Sequence, residues 1–133
     1  LVRIKPQLLC FPDFILTRPG GQTYAKTPIS EVLYIEADNV WTTIYTTGKR
    51  IILSYNIGNV EKELEYTELF RSHRSYIINL RKISQIELNA GGGHVVINQE
   101  KIKVSRSRVD LFWSAWQNLF GSSESRSSRQ DRE

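Results

Sequence analysis

The stretch VLYIEADNVWTTIYTTGKRIILS, Val32 to Ser54, sets the tightest limit on what this chain can fold into. β-Branched and aromatic residues fill it, and their stiff or bulky side chains suit a pleated surface better than a helix. Gly48 and Lys49 punctuate it where a hairpin reverses. The same texture recurs on both sides. DFILTRPGGQTYAK gives two short β-type runs around Pro19, Gly20 and Gly21, where glycine supplies a positive φ and proline presets a negative one. SQIELNAGGGHVVINQEKIKVS reads as a strand, a glycine turn, a strand, a second turn and a third strand. A mainly β body is expected. Within it Gly91 to Gly93 make a hairpin turn, because a phosphate cradle needs its glycines to lead into a helix and the β-type run HVVIN follows instead.

Two segments break the pattern. Behind Asn56, a candidate N-cap, Ile57, Val60 and Leu64 fall at helical spacing, with Glu61, Lys62, Glu63 and Glu65 mostly outside. That acidic face would repel a polyanion, so it is expected to be solvated and turned away from any nucleic-acid surface. RVDLFWSAWQNLF puts Val109, Phe112, Trp116 and Leu119 on one helical stripe, widened by Trp113 and Phe120. This second helix is expected to pack on the sheet, with a dimer seam as the alternative. Residues 1–12 have no sustained period and read as a tether, 13–120 form the domain, and 121–133 are a polar, low-complexity tail whose three arginines offset three acids. A chain of 133 residues fits one such domain, able to bury about two thirds of its unfolded surface. It opens at Leu1 and holds no methionine, so a longer polypeptide with an upstream domain is expected.

Composition argues against several kinds of chemistry. The single cysteine, Cys10, allows no internal disulfide and reads as a small apolar filler, in keeping with a reducing cytoplasm. No run approaches the roughly 18 consecutive apolar residues of a membrane span, and no signal pattern opens the chain. Ser72 and His73 are neighbours, but adjacent strand residues point to opposite faces and cannot pair as nucleophile and base. His73, His94 and Cys10 are the only nitrogen or sulfur ligands, with no short spacing among them, so neither a metal nor a cofactor is expected. The carboxylates of EKELEYTE lie on the polar side of the expected helix. Catalysis has no visible machinery.

Charge is distributed unevenly. The formal charge is only +4, yet Phe70 to Lys82 holds Arg71, Arg74, Arg81 and Lys82, and KIKVSRSR holds Lys101, Lys103, Arg106 and Arg108, with no acid in either. Without these eight, ten basic residues face all 14 acidic ones. An acidic body bearing two basic segments is the electrostatic footprint of a polyanion binder.

The succession VLYIEADNVWTTIYTTGKRIILS, LFRSHRSYIINLRKISQIE and KIKVSRSRVDLF, over roughly residues 13 to 115, resembles the LytTR-type DNA-binding domain of bacterial transcription regulators. The resemblance implies an elongated set of small, mostly antiparallel sheets with one or two short helices. It also implies loops inserted into successive major grooves of double-stranded DNA, at direct repeats, with a homodimer on DNA and an upstream receiver or sensor domain. Three loops carry the implied contacts. The first holds Asn39, Trp41, Thr42 and Thr43; some members place a base-contacting histidine near Thr42, where threonine leaves a phosphate or thymine-methyl contact. The second holds His73, Arg74 and Ser75. In the third, VSRSR, the base-reading arginine falls within Arg106, Ser107 and Arg108.

Residue chemistry suits these roles. Arginine's planar fork matches guanine O6 and N7, Ser75, Ser105 and Ser107 can bond phosphate oxygens, and Lys82, Lys101 and Lys103 suit backbone contacts. Tyr76, Ile77 and Ile78 should anchor the second loop in the core, and Asn79 should cap a turn. For Tyr76 and Trp41, packing is expected ahead of base stacking. His73 either meets DNA or serves as a structural hydrogen-bonding residue. Two other classes stay open: a β-rich single-stranded RNA or DNA module, which would need exposed aromatics on a basic sheet, and a protein-interaction or dimerisation module using the Trp113 and Trp116 helix.

Overall fold

The computed structural model describes residues 6–64 and 68–121. Among them the β-type runs become eleven strands: β1 Leu8–Cys10, β2 Phe14–Thr17, β3 Ala25–Pro28, β4 Val32–Asp38, β5 Trp41–Thr46, β6 Arg50–Leu53, β7 Leu69–His73, β8 Tyr76–Asn79, β9 Ile83–Asn89, β10 Gly92–Ile97 and β11 Glu100–Val104. Helix α1, Ile57–Glu63, lies between β6 and β7, and α2, Val109–Phe120, follows β11. The strands pair antiparallel in three sheets, ordered β1-β2-β3, β6-β5-β4-β8-β7 and β11-β10-β9.

Turn chemistry sets the registers. Asp38 pairs with Trp41, so Asn39 and Val40 alone reverse the chain, and Asn39 takes φ 65°, a left-handed value that asparagine tolerates and a two-residue hairpin needs. Asn98 and Gln99, at φ 52° and 71°, turn β10 into β11 in the same way. Gly92, at φ 101°, does something different. A Cβ there would come within 2.9 Å of Val104 O and 3.0 Å of Arg106 N, so glycine lets the β9–β10 turn lie against the chain leaving β11.

The five-stranded sheet is the middle layer. Ile35, Ile44 and Ile77 point from one face into a core shared with Leu8, Ile15, Ile57 and Val60, so the first sheet and α1 cover that side. Leu33 and Ile78 point from the other face to Val95, Ile102, Val104 and Phe112, so the third sheet and α2 cover the opposite side. Asn79, fully buried, accepts from Arg81 N at 3.0 Å and donates to Val32 O at 2.7 Å, capping the turn as expected and tying the end of β8 to the start of β4. The Asn56 side chain accepts from Asn59 N at 2.9 Å and caps α1.

The mainly β architecture with two short helices is the expected one, with two departures. Leu8 is fully buried and pairs with Thr17, so the end of the supposed tether is an edge strand held by a core side chain. Helix α2 buries Val109 and Phe112 and half-buries Trp116 and Leu119, yet leaves Leu111, Trp113 and Phe120 exposed. The polar tail from Ser122 onward and Glu65 lie outside the described residues. No helix among the described residues is long and apolar enough to cross a membrane.

Candidate nucleic-acid interface

Hydrogen bonds between strand ends gather three connections at one end of the central sheet. Ala37 N donates to Ser75 O at 2.8 Å, which sets the β4–β5 hairpin beside the β7–β8 turn. Ser105 N donates to Ser72 O at 2.9 Å, and the buried Ser72 hydroxyl donates to Lys103 O at 2.8 Å, which brings the end of β11 to the same turn. The 3₁₀ turn Arg106–Arg108 follows directly. Asn39, Trp41, His73, Arg74, Ser75, Lys103, Ser105, Arg106, Ser107 and Arg108 therefore share one end of the molecule.

The β7–β8 turn is held from behind. Arg71 Nη1 pairs with Glu61 Oε1 at 2.6 Å, its Nε donates to His73 O at 3.0 Å, and its Nη2 donates to Arg74 O at 2.7 Å. One guanidinium thus spans α1 and both carbonyls of the turn, and little of it faces solvent. Glu61 was expected on a solvated face turned away from the site; instead it neutralises Arg71 at the site's back wall, because the long Arg71 side chain reaches from β7 to α1. Glu61, Arg71, His73, Arg74, Ser105, Ser107 and Arg108 line an open cleft of about 420 Å³.

His73 has a fixed tautomer. Its Nδ1 accepts from Ser75 N at 3.0 Å, so in the neutral ring Nε2 carries the proton as a donor. Burial pulls its pKa below the ordinary 6.5, and the charges of Lys103, Arg74 and Arg71 push the same way. A neutral imidazole is what the Ser75 bond requires, since a protonated Nδ1 could not accept it. The ring lies 5.7 Å from that of Tyr76, which packs against the second core while Ile77 and Ile78 are buried, so the anchoring expected of this strand is present.

Arg106 and Arg108 differ. Arg108 donates from Nε to Arg71 O at 3.0 Å and lies over the Phe70 ring at 5.5 Å, so it is part of the scaffold. Arg106 and Ser107 are exposed. On β11, Ile102 and Val104 point inward while Lys101 and Lys103 point outward, two residues apart on one face. The ion pairs among the described residues are Arg71–Glu61 and His94–Glu87, so Arg74, Lys101, Lys103, Arg106 and Arg108 have no carboxylate partner there.

Several expected contacts are not at this surface. Thr42 is fully buried and gives its hydroxyl to Tyr55 O, and Thr43 is 9% exposed. Thr42 offers a ligand no surface and Thr43 very little. Lys82 follows β8 to its far end, where Leu80 N bonds Glu68 O, so it stands apart from the cluster. Trp41 corrects the reading in the other direction, being 48% exposed rather than packed. Val40, at 67%, is more exposed still, and no sequence signal pointed to it except its place between a turn asparagine and a strand. Arg71 as a clip and Ser72 as a stitch were equally unmarked, since their partners come from other elements.

Cations without a carboxylate partner among the described residues, with small hydroxyls beside them on strand connections of a β-rich module, are the kind of surface that suits a polyanion. Comparison with known proteins gives the family. Residues 22–117 match the LytTr DNA-binding domain, and the chain belongs to that family. It is similar to the transcriptional regulatory protein YpdB of Escherichia coli K12, with 33% identity over 89 residues, 65% of this chain and 36% of YpdB. It is also similar to the transcriptional regulatory protein LytR of Staphylococcus aureus NCTC 8325, with 35% identity over 83 residues, 61% of this chain and 34% of LytR. The chain spans about a third of the length of these relatives. A LytTr DNA-binding domain from Bacillus cereus has the same fold, with TM-score 0.66 and 21% identity over 80% of this chain and 98% of that one.

Proposed function

We propose that the chain is the output module of a bacterial transcriptional regulator, binding specific double-stranded DNA in the cytoplasm through its loops. Arg74 and Arg106 enter the major groove and read base edges, Ser75, Ser105 and Ser107 bond phosphates, and Lys101 and Lys103 follow the backbone. His73 donates its Nε2–H. It acts at direct repeats as two copies of the chain on one duplex, behind a receiver or sensor domain, and performs no catalytic step. The observation that carries this reading is the set of arginines and lysines without carboxylate partners among the described residues, gathered toward one end of a folded sheet.

Titrating the chain with duplex DNA, single-stranded DNA and RNA of one sequence tests the ligand class, and selecting bound sites from a random duplex library tests specificity. Preference for either single strand, or a selection that converges on no sequence, overturns the reading. A protein-interaction role for α2 is the second reading, favoured by the exposure of Leu111, Trp113 and Phe120.

A further inference from the structure

Resting on that reading, we propose that the β4–β5 hairpin tip recognises thymine, Val40 and Trp41 packing against its C5-methyl in the major groove while Asn39 faces the paired adenine. Val40 and Trp41 are adjacent, 67% and 48% exposed, and lie at the end where the unpaired cations gather, held there by the Ala37 N bond to Ser75 O. Apolar surface in that position loses free energy in water and regains it against an apolar partner.

The chemistry of the tip narrows the partner. Asp38, Asn39, Val40 and Trp41 include no cation and one carboxylate, so the tip repels phosphate where its neighbours attract it. Of the surfaces a duplex presents, such a tip suits the base edges better than the phosphate rows. In the major groove the one apolar group on those edges is the thymine methyl, and a two-stranded ribbon fits the groove's width of about 12 Å. With Thr42 and Thr43 buried, the tip is what remains of this loop to meet DNA. Asn39, exposed and fixed at φ 65°, carries the amide that can pair with adenine N6 and N7. A T·A pair offers both partners at once.

The test replaces the thymines of the selected duplex by uracil, one at a time, which removes the methyl and keeps the pairing. Dissociation constants are measured for the wild-type chain, Val40→Ala and Trp41→Ala. At one or two positions the wild type should lose about fourfold in affinity per methyl, while the variants, already weakened on thymine, lose nothing more. If every uracil duplex binds the wild type as well as thymine does, while Arg106→Ala still narrows the cognate preference, the tip does not read thymine although the DNA reading stands. An equal penalty in wild type and variants assigns the methyl to another residue and overturns the proposal. A wild type that fails to separate cognate from scrambled duplex overturns both readings.

Discussion

Arg71 is basic, sits in the basic segment, and is nevertheless predicted not to touch DNA. Three of its five N–H donors, one on each nitrogen, are spent on Glu61 and on the carbonyls of His73 and Arg74. Arg71→Ala should cost about 1–3 kcal/mol of stability, the range for hydrogen bonds to a charged group, and leave the salt slope of duplex binding unchanged. Lys103→Ala should lower that slope by about 0.9, the signature of one lost phosphate contact. A slope change in the Arg71 variant would place it on the backbone. His73 gives a pH test. Its imidazole is held below the ordinary 6.5 by burial first and then by Lys103, Arg74 and Arg71. As pH falls below the ordinary histidine value, the unfolded chain binds this proton before the native one, so stability is lost through that window until the lowered native value is passed. His73→Asn keeps an acceptor for Ser75 N and removes the titration. The difference between wild-type and variant melting temperatures should shift in the variant's favour as pH drops below about 6.5. A pH-independent difference would show that His73 does not titrate there.

At the scale of elements, the 3₁₀ turn Arg106–Arg108 divides two roles between like residues. Arg106→Ala should cost about 1–3 kcal/mol on the cognate duplex, narrow the gap to scrambled DNA and leave melting unchanged. Arg108→Ala should lower the melting temperature, because its Nε–H bonds Arg71 O and its guanidinium lies over the Phe70 ring. Paired melts and titrations on both duplexes separate these outcomes, and a variant of Arg106 that loses both duplexes equally is only a backbone contact. The strands themselves were legible because turn residues mark their ends: Gly48, Gly91 and Asn56 punctuate where the sequence indicates, whereas Gly92 and Gly93, expected in the same turn, already pair within β10. Side-chain direction was less legible. Thr42, Thr43 and Ile44 are all buried in succession, which strict alternation does not anticipate, since Thr43 lies on the face that also carries the exposed Trp41. Lys82 misled through adjacency, since the four residues of β8 carry it roughly 13 Å from the turn its sequence neighbours occupy.

For the whole molecule, the central sheet separates two cores, and β1 belongs to the first through Leu8. Three residues pairing with a strand already assigned elsewhere leave almost no local period, so sequence read them as a tether. Leu8→Ala should cost about 2–5 kcal/mol, measured by chemical unfolding, whereas a true tether would show no change. Deleting Ser122 to Glu133 should alter neither stability nor duplex affinity, because a charge-balanced polar segment neutralises no phosphate. A large loss of affinity would make those residues part of the binding surface. The Asn39–Val40 link has a further consequence for how such a module changes over generations. Both residues are exposed and belong to neither core, and the flanking register is set by Asp38 and Trp41. If the tip reads thymine as proposed, codon changes at Val40 would alter an operator preference at almost no thermodynamic penalty to the fold, a route by which duplicated regulators would diverge in the promoters they occupy.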